Sequence, residues 1–338
     1  MIGNKHKKNS ILVLGGARFH GKLIVEKLVN LGHQVFVLNR GRYTKEYENG
    51  IIHLKADRND EHLMKMVLRD YYFDVIIDNN GYNENQVQIL KSAIGERFGH
   101  YIFSSTVAVY QKLTVDKPLK ENSICEPNGT FSPKIVNYAQ NKLHAENYIK
   151  KNFTEKNFTI LRISNIFGNF DFAGKLSYFY FRFKDNNVIL LESEINNFSL
   201  INVNDVSNII ILFSGNKNVF GKILNIADPT SYNYQIFFNS VYQPFFSQKI
   251  DLFLYPAIKI WKKNYFLPFA WGPELDVSSA LNFLQGYSFS HLSEWGPSSL
   301  EWELKNLQSI QLDKEYISQI KIEKTLIKEF EKENGFDN

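Results

Sequence analysis

Short apolar runs alternate with amphipathic stretches along the first two thirds of the chain. Residues 11–14 (ILVL) form an unbroken apolar run, which predicts a strand buried on both faces. Gly15, Gly16 and Gly21 bracket the turn that follows, the apolar spacing predicts a helix over about 22–31, and Gly32 ends it. Residues 33–38 (HQVFVL) alternate and are rich in β-branched types, so a second strand returns parallel to the first after a crossover helix. The rhythm continues with strands predicted at 50–54, 73–78 and 100–104, helices at about 63–69 and 86–98, and further strands at 159–163 and 222–227. Strands alternating with helices in this way imply an α/β fold, a doubly wound parallel sheet covered on both faces. Ligands of such sheets sit beyond the carboxyl ends of the strands.

Two of those ends carry chemistry. A side chain in the first turn would keep the backbone away from a pyrophosphate, whose charge is held by free N–H groups at a helix N-terminus, so the glycines point to a dinucleotide. At the other end, Ser104, Ser105 and Thr106 follow the fifth strand, and Tyr138 and Lys142 stand four residues apart in a segment that opens a helix. That spacing puts phenol and ammonium on one helix face. A neighbouring positive charge stabilises a tyrosinate, and a phenol brought down from its ordinary pKa of ~10 exchanges protons with a substrate oxygen. Thr106 is placed to hold the same oxygen.

The order of these features resembles that of the extended and atypical short-chain dehydrogenase/reductases, the superfamily of nucleotide-sugar epimerases, dehydratases and ketoreductases. Gly15-Gly16-Ala17-Arg18-Phe19-His20-Gly21 is similar to its GGxGFxG turn, with Arg18 in place of the middle glycine. Asp57, the segment from Ser104 to Tyr110, residues 118–121 (PLKE), Tyr138 to Lys142, Arg162, Gly168, and residues 198–206, 225–228 and 276–279 fall in the family's order. The variant turn and Asn39-Arg40-Gly41 look most like an atypical branch that also contains the chloroplast stem-loop-binding proteins. The resemblance implies a Rossmann-like domain over 1–168, also receiving a strand near 200–228, and a smaller C-terminal α+β substrate lobe over 169–199 and 229–338. It implies Thr106, Tyr138 and Lys142 as catalytic residues. Gly15, Gly16, Arg18, Phe19, Gly21, Asn39, Arg40, Asp57, Asn79, Gly81, Ser104, Tyr138 and Lys142 are the implied cofactor contacts. NAD-preferring relatives end the second strand with an Asp that holds the ribose 2′-OH, whereas Asn39 and Arg40 suit a 2′-phosphate, so NADP is favoured over NAD. Relatives that are 4,6-dehydratases follow the threonine with an acidic pair. Val107 and Ala108 stand there in this chain, which favours oxidoreduction or epimerisation of a sugar nucleotide over dehydration.

Composition narrows the setting. With 338 residues and 44% hydrophobic content the chain can bury a large core. A net charge of +4, with lysines and arginines interspersed with acids, gives no continuous basic face for a nucleic acid. Cys125 is the single cysteine, so neither an intrachain disulfide nor a cysteine metal site is possible. The eight histidines lack metal-ligand spacing, and His53 and His100 read as ordinary strand-edge residues. No apolar run reaches the ~18 residues of a membrane span, and the lysine-rich start is too short for a signal peptide. The chain therefore reads as a cytoplasmic enzyme with a small-molecule substrate, no membrane partner and, in the family's manner, a homodimer as one assembly. The aromatics of the second half, Tyr178 to Phe183, Phe237, Phe238, Phe245, Phe246, Trp261 and Trp271 among them, read as core, and residues 314–331 as a charged amphipathic helix with a solvated face. Two alternatives stay open: an RNA-binding protein on the same fold, and a non-catalytic NADP-binding protein.

Overall fold

The computed structural model describes residues 8–41, 50–110, 118–126, 133–153, 157–184, 189–192, 197–247, 250, 252–255, 273–310 and 314–333. Its centre is a seven-stranded parallel sheet of β1 (Ser10–Leu14), β2 (Gln34–Asn39), β3 (Ile51–Lys55), β4 (Phe73–Asp78), β5 (Phe98–Thr106), β6 (Phe158–Ile163) and β10 (Lys222–Ile226). The order across the sheet is β10-β6-β5-β4-β1-β2-β3. Side chains alternate between the two faces of a strand. On β1, Leu12 and Leu14 enter the core under α2 (Glu61–Leu68), α3 (Glu84–Ile94) and α4 (Pro133–Asn152), while Ile11 and Val13 enter the core under α1 (Phe19–Asn30) and α6 (Val203–Phe213). The parallel sheet buried on both faces is thus what the unbroken apolar runs predicted.

The smaller lobe is aromatic. Two short parallel pairs, β7 (Asn165–Phe167) with β9 (Leu200–Asn202) and β8 (Ile189–Glu192) with β11 (Leu252–Tyr255), join α5 (Lys175–Lys184), α7 (Tyr234–Tyr242) and α9 (Leu292–Lys305). Phe179, Phe237, Phe238, Tyr242 and Trp295 are buried together there, with edge-to-face pairs such as Phe179–Phe238 at 5.1 Å. Trp261 and Trp271 lie outside the described residues. Two buried carboxylates tie the lobe together. Glu303 of α9 accepts from Leu176 and Ser177 N–H at the start of α5, and Glu323 of α10 (Lys314–Glu333) pairs with Arg182. The charge run of α10 is therefore not all solvated, because Glu323 is buried while Lys321, Lys324 and Lys328 are exposed. α8 (Ser278–Leu281) packs beside β10.

The helix expected to run to Phe98 ends at Ile94, with Phe98 opening β5, and three further boundary differences bear on the site. α1 begins at Phe19, three residues before the expected start, with Arg18 as its N-cap, because Gly21 belongs inside the first turn rather than before it. β5 runs on to Thr106, so that Ser104, Ser105 and Thr106 pair with Leu161, Arg162 and Ile163 of β6. α4 begins at Pro133, which places Tyr138 in its second turn rather than at its start.

His53 lies on the edge strand, but His100 does not. It is fully buried on β5, between β4 and β6. Thr159 Oγ1 donates to the Val219 carbonyl at 2.7 Å and so accepts from His100 Nε2 at 2.9 Å, while Gly215 N–H donates to His100 Nδ1 at 3.1 Å. The ring is thereby fixed as the neutral Nε2–H form, and burial lowers its pKa to about 3. The unfolded chain takes up this proton near pH 6.5 and the folded one refuses it until about pH 3, so stability is lost as the pH falls between them. Urea unfolding at pH 5 is expected to show about 2 kcal/mol less stability than at pH 7.5, from this group alone. A His100→Gln variant should flatten the dependence; an unchanged slope would discount His100 as its source.

Candidate active site

β1 is followed by β2 and β3 on one side, and the chain then crosses to lay β4 on the other, so the loops after β1 and β4 part and open a crevice at the strand carboxyl ends. A cavity of about 560 Å³ lies there. Gly15, Arg18, Phe19 and His20 line it from the turn, Asn39 and Arg40 from the end of β2, Asp57, Arg58 and Asn59 from the end of β3, and Asn79, Asn80 and Tyr82 from the end of β4. Gly15 has φ +83, and a Cβ on Gly21 would lie 2.0 Å from the Gly15 carbonyl oxygen, so the turn closes only with glycine at both positions. Gly16 packs beneath the turn against Val25 and Val37.

Arg18 is exposed and its guanidinium stacks on Phe172, 5.3 Å from the ring centroid, so it bridges the cavity rim to the lobe. Arg40 is also exposed and lines the cavity from the end of β2. Asp57 Oδ1 accepts from Asn59 N–H at 3.0 Å and from the Asn59 amide at 2.9 Å.

The remaining candidates do not line the cavity but reach it through Asn79 and Tyr82. Ser104 Oγ donates to Asn79 Oδ1 at 2.9 Å, and Lys142 Nζ donates to the Ser104 carbonyl at 2.6 Å. Gly81 packs against Phe103 and Asp78. The Lys142 ammonium also lies 4.6 Å from the Phe103 centroid, and the Tyr138 ring sits 6.2 Å from that of Tyr82. Burial lowers the Lys142 pKa to about 8, with the Asp78 charge opposing.

Tyr138 and Lys142 lie on one face of α4, as their spacing predicted. Burial pushes the Tyr138 phenol above its usual range, Tyr82 adds to this, and a hydrogen bond from Thr106 is what draws it back. The Lys142 ammonium, held at the Ser104 carbonyl, lies 5.9 Å from the Tyr138 ring centroid. Thr106 Oγ1 accepts from Ala108 N–H at 3.2 Å, which leaves its proton to be given to the phenol oxygen.

Three buried residues that motif spacing did not single out complete the floor. Arg58 holds Asp78 through two bonds of 2.8 Å and also reaches Asn80, and Tyr101 donates to Asp78 at 2.9 Å. Burial raises the Asp78 carboxyl, but Arg58 outweighs it and keeps the pKa below its ordinary value. One signal existed: an aspartate ending the buried apolar run of residues 73–78 requires a partner. A second network fixes α4. Arg162 on β6 pairs with Glu146 of α4 and donates to Tyr110, which donates to Asn225 at 2.7 Å, while Glu121 accepts from Asn225 N–H and from Ser279.

A dinucleotide fits this cradle. Among the described residues, the buried polar atoms without a hydrogen-bond partner include both ring nitrogens of His20, Asn79 Nδ2 and Arg58 Nε, all on residues that line the cavity. Burial, with the Lys142 charge adding, lowers the His20 pKa to about 4, so the ring is neutral. A family model described as the NAD dependent epimerase/dehydratase family matches residues 11–227. The chain belongs to that family. A curated relative, the chloroplast stem-loop binding protein of 41 kDa b from Arabidopsis thaliana, is 27% identical over 234 residues. The match covers 65% of this chain and 59% of that protein, so the chain spans less than two thirds of the relative's length. Among solved structures, the dTDP-glucose 4,6-dehydratase from Bacillus anthracis in complex with NAD superposes with a TM-score of 0.70 at 16% identity, covering 89% of this chain and 98% of that one. The UDP-glucose 4-epimerase from Thermotoga maritima with UDP-glucose gives 0.70 at 19% identity, covering 88% and 99%. These likenesses establish the fold. This member of the family depends on the Gly15–Gly21 approach, so Gly21→Ala is expected to lower stability by about 3 kcal/mol in urea unfolding, through forced overpacking of the turn. A loss below about 1 kcal/mol would show that the turn opens without strain.

Proposed function

We propose that this chain is an NAD(P)-dependent oxidoreductase or epimerase acting on a sugar nucleotide, with NADP preferred. The observation that carries the reading is the buried Lys142 ammonium, bonded to the Ser104 carbonyl and 5.9 Å from the Tyr138 ring centroid, set against a glycine-turn cavity. The backbone of Gly15, Gly16 and Gly21 would hold the pyrophosphate, Asp57 the adenine end, Arg40 and Arg18 the 2′-phosphate, and Lys142 the nicotinamide ribose, with the Tyr138 ring beside it and its hydroxyl turned to the substrate. The bound nicotinamide supplies or accepts a hydride. Tyr138 gives or takes the proton at the substrate oxygen, and Thr106 has a single proton to give, to that oxygen before the transfer or to the tyrosinate after it. The high ground-state pKa keeps the phenol protonated at neutral pH, which suits carbonyl reduction. Val107 and Ala108 are buried apolar residues in the turn after Thr106, so the acid and base of a water elimination have no place there.

A second reading follows from the plant relative, whose name describes stem-loop binding. Lys321, Lys324, Lys328 and Lys332 line a shallow surface of about 310 Å³ along α10 that an anionic polymer would favour. RNA binding that persists at about 150 mM salt, with no turnover of any sugar nucleotide, would replace the enzymatic reading by this one.

Turnover of keto-sugar nucleotides with NADPH, and of hexose nucleotides with NADP+ or NAD+, separates the two. Tyr138→Phe is expected to lower kcat by ~10² or more while nucleotide affinity changes less than about two-fold, because the hydroxyl faces the substrate. Unchanged turnover in this variant rules the mechanism out. Arg40→Asp is expected to weaken NADPH by about ten- to a hundred-fold in calorimetry, since a carboxylate replaces a charge-assisted donor; tighter binding of NADH than NADPH by the unaltered protein contradicts the cofactor choice.

A further inference from the structure

We propose that His53 is a positioning residue for nucleotide choice: it occupies the acceptor oxygen of Asn39, so that the ribose 2′-hydroxyl of NADH cannot use it. This rests on the cavity being a nicotinamide dinucleotide site. Asn39 ends β2 and lines the cavity at the place where an acidic side chain would accept from the adenosine ribose of NAD. A carboxamide has a single acceptor oxygen, and what that oxygen is bound to decides whether it can stand in for the carboxylate.

Its orientation follows from the donors around it. Gly41 N–H, which can only donate, lies 2.7 Å from Asn39 Oδ1, so the atom facing it is the oxygen. His53 Nε2 lies 2.8 Å from the same oxygen and must therefore carry a hydrogen. A carbonyl oxygen offers two lone pairs, and these donors take both. Gly41 is fixed in place by a left-handed backbone, φ +82, that brings its N–H back toward Asn39. His53 is fixed by strand register. Val37 pairs with His53 and Asn39 with Lys55 on adjacent parallel strands, so Asn39 and His53 share a sheet face as diagonal neighbours.

The consequence is selective. A ribose 2′-hydroxyl that must donate finds no acceptor at Asn39, whereas a 2′-phosphate needs none. The surroundings suit the phosphate: Arg40 is exposed next in sequence, and the Lys55 side chain passes Gly41, with Cε 3.1 Å from where a Cβ would stand. Burial and the Lys55 charge lower the His53 pKa, so the imidazole is neutral near pH 7.5 and donates through Nε2–H alone.

The test is calorimetry of the full chain with NADPH and NADH. His53→Leu releases one lone pair and is expected to tighten NADH about three- to ten-fold while NADPH stays within about two-fold, the range of a neutral hydrogen bond regained. His53→Gln, whose amide can donate to the same oxygen, should keep the wild-type ratio. An unchanged ratio in His53→Leu, an equal weakening of both nucleotides, or His53→Gln behaving like His53→Leu overturns the proposal, because a merely structural histidine acts on both nucleotides alike. Nitrogen-15 NMR of the wild-type ring provides a readout that does not depend on a variant folding: Nε2–H is expected at pH 7.5, and an Nδ1–H tautomer overturns the proposal. Wild-type protein that binds neither nucleotide removes the dinucleotide reading of the cavity, and this inference with it, whatever the tautomer.

Discussion

The buried pair of Arg58 and Asp78 is the interaction on which the site depends. An ionised aspartate at the end of a central strand loses its hydration, a cost of several kcal/mol that only close, well-directed partners offset. Here Arg58 supplies two hydrogen bonds from the loop after β3, and Tyr101 supplies a third from β5. The pair thereby links the ends of β3 and β4 to the middle of β5, and Arg58 also fixes Asn80, which touches the glycine turn through Gly15. Its charge extends to Lys142, whose ammonium is buried and is favoured in its charged form chiefly by Asp78. A buried pair of this kind is a poor source of net stability, but losing one partner leaves an uncompensated charge in the core. It therefore acts as a constraint on arrangement, holding three loops in one relation.

The second network does for α4 what the first does for the crevice. Glu146 lies one turn beyond Lys142, and its pairing with Arg162 anchors the helix to β6. Tyr110, Asn225, Glu121 and Ser279 continue the chain of hydrogen bonds to β10 and to α8. With α4 pinned at this point, Lys142 faces Ser104 and Tyr138 faces Thr106, an arrangement that four-residue spacing allows but does not aim. Lys142 lies beside the Tyr138 ring while bonded to the strand carbonyl, and the Thr106 hydroxyl is fixed by Ala108 N–H.

How far the chain could be read follows from the range of each interaction. The alternation of strands and helices, the parallel sheet and the glycine turn rest on local periodicity and on backbone conformations that few residue types adopt, so residues 11–14, 73–78 and the Gly15–Gly21 turn declare themselves in the sequence. The Asp78 carboxylate was visible there as an oddity, an acid ending an apolar run, but its partner lies 20 residues earlier in another loop and no spacing rule connects them. His100 and His53 show the same limit: both stand in short apolar segments, yet one sits in the middle of the sheet and the other on its edge. The order of strands across the sheet settles that difference, and adjacent sequence does not encode it. Sequence alone therefore determined the fold class and the residue types gathered at the strand ends, because these depend on contacts a few residues apart. Tertiary structure alone decided that His53 meets Asn39, that Lys142 is held at the Ser104 carbonyl and which charge Asp78 answers, because each is fixed by atoms that meet only when distant segments come together.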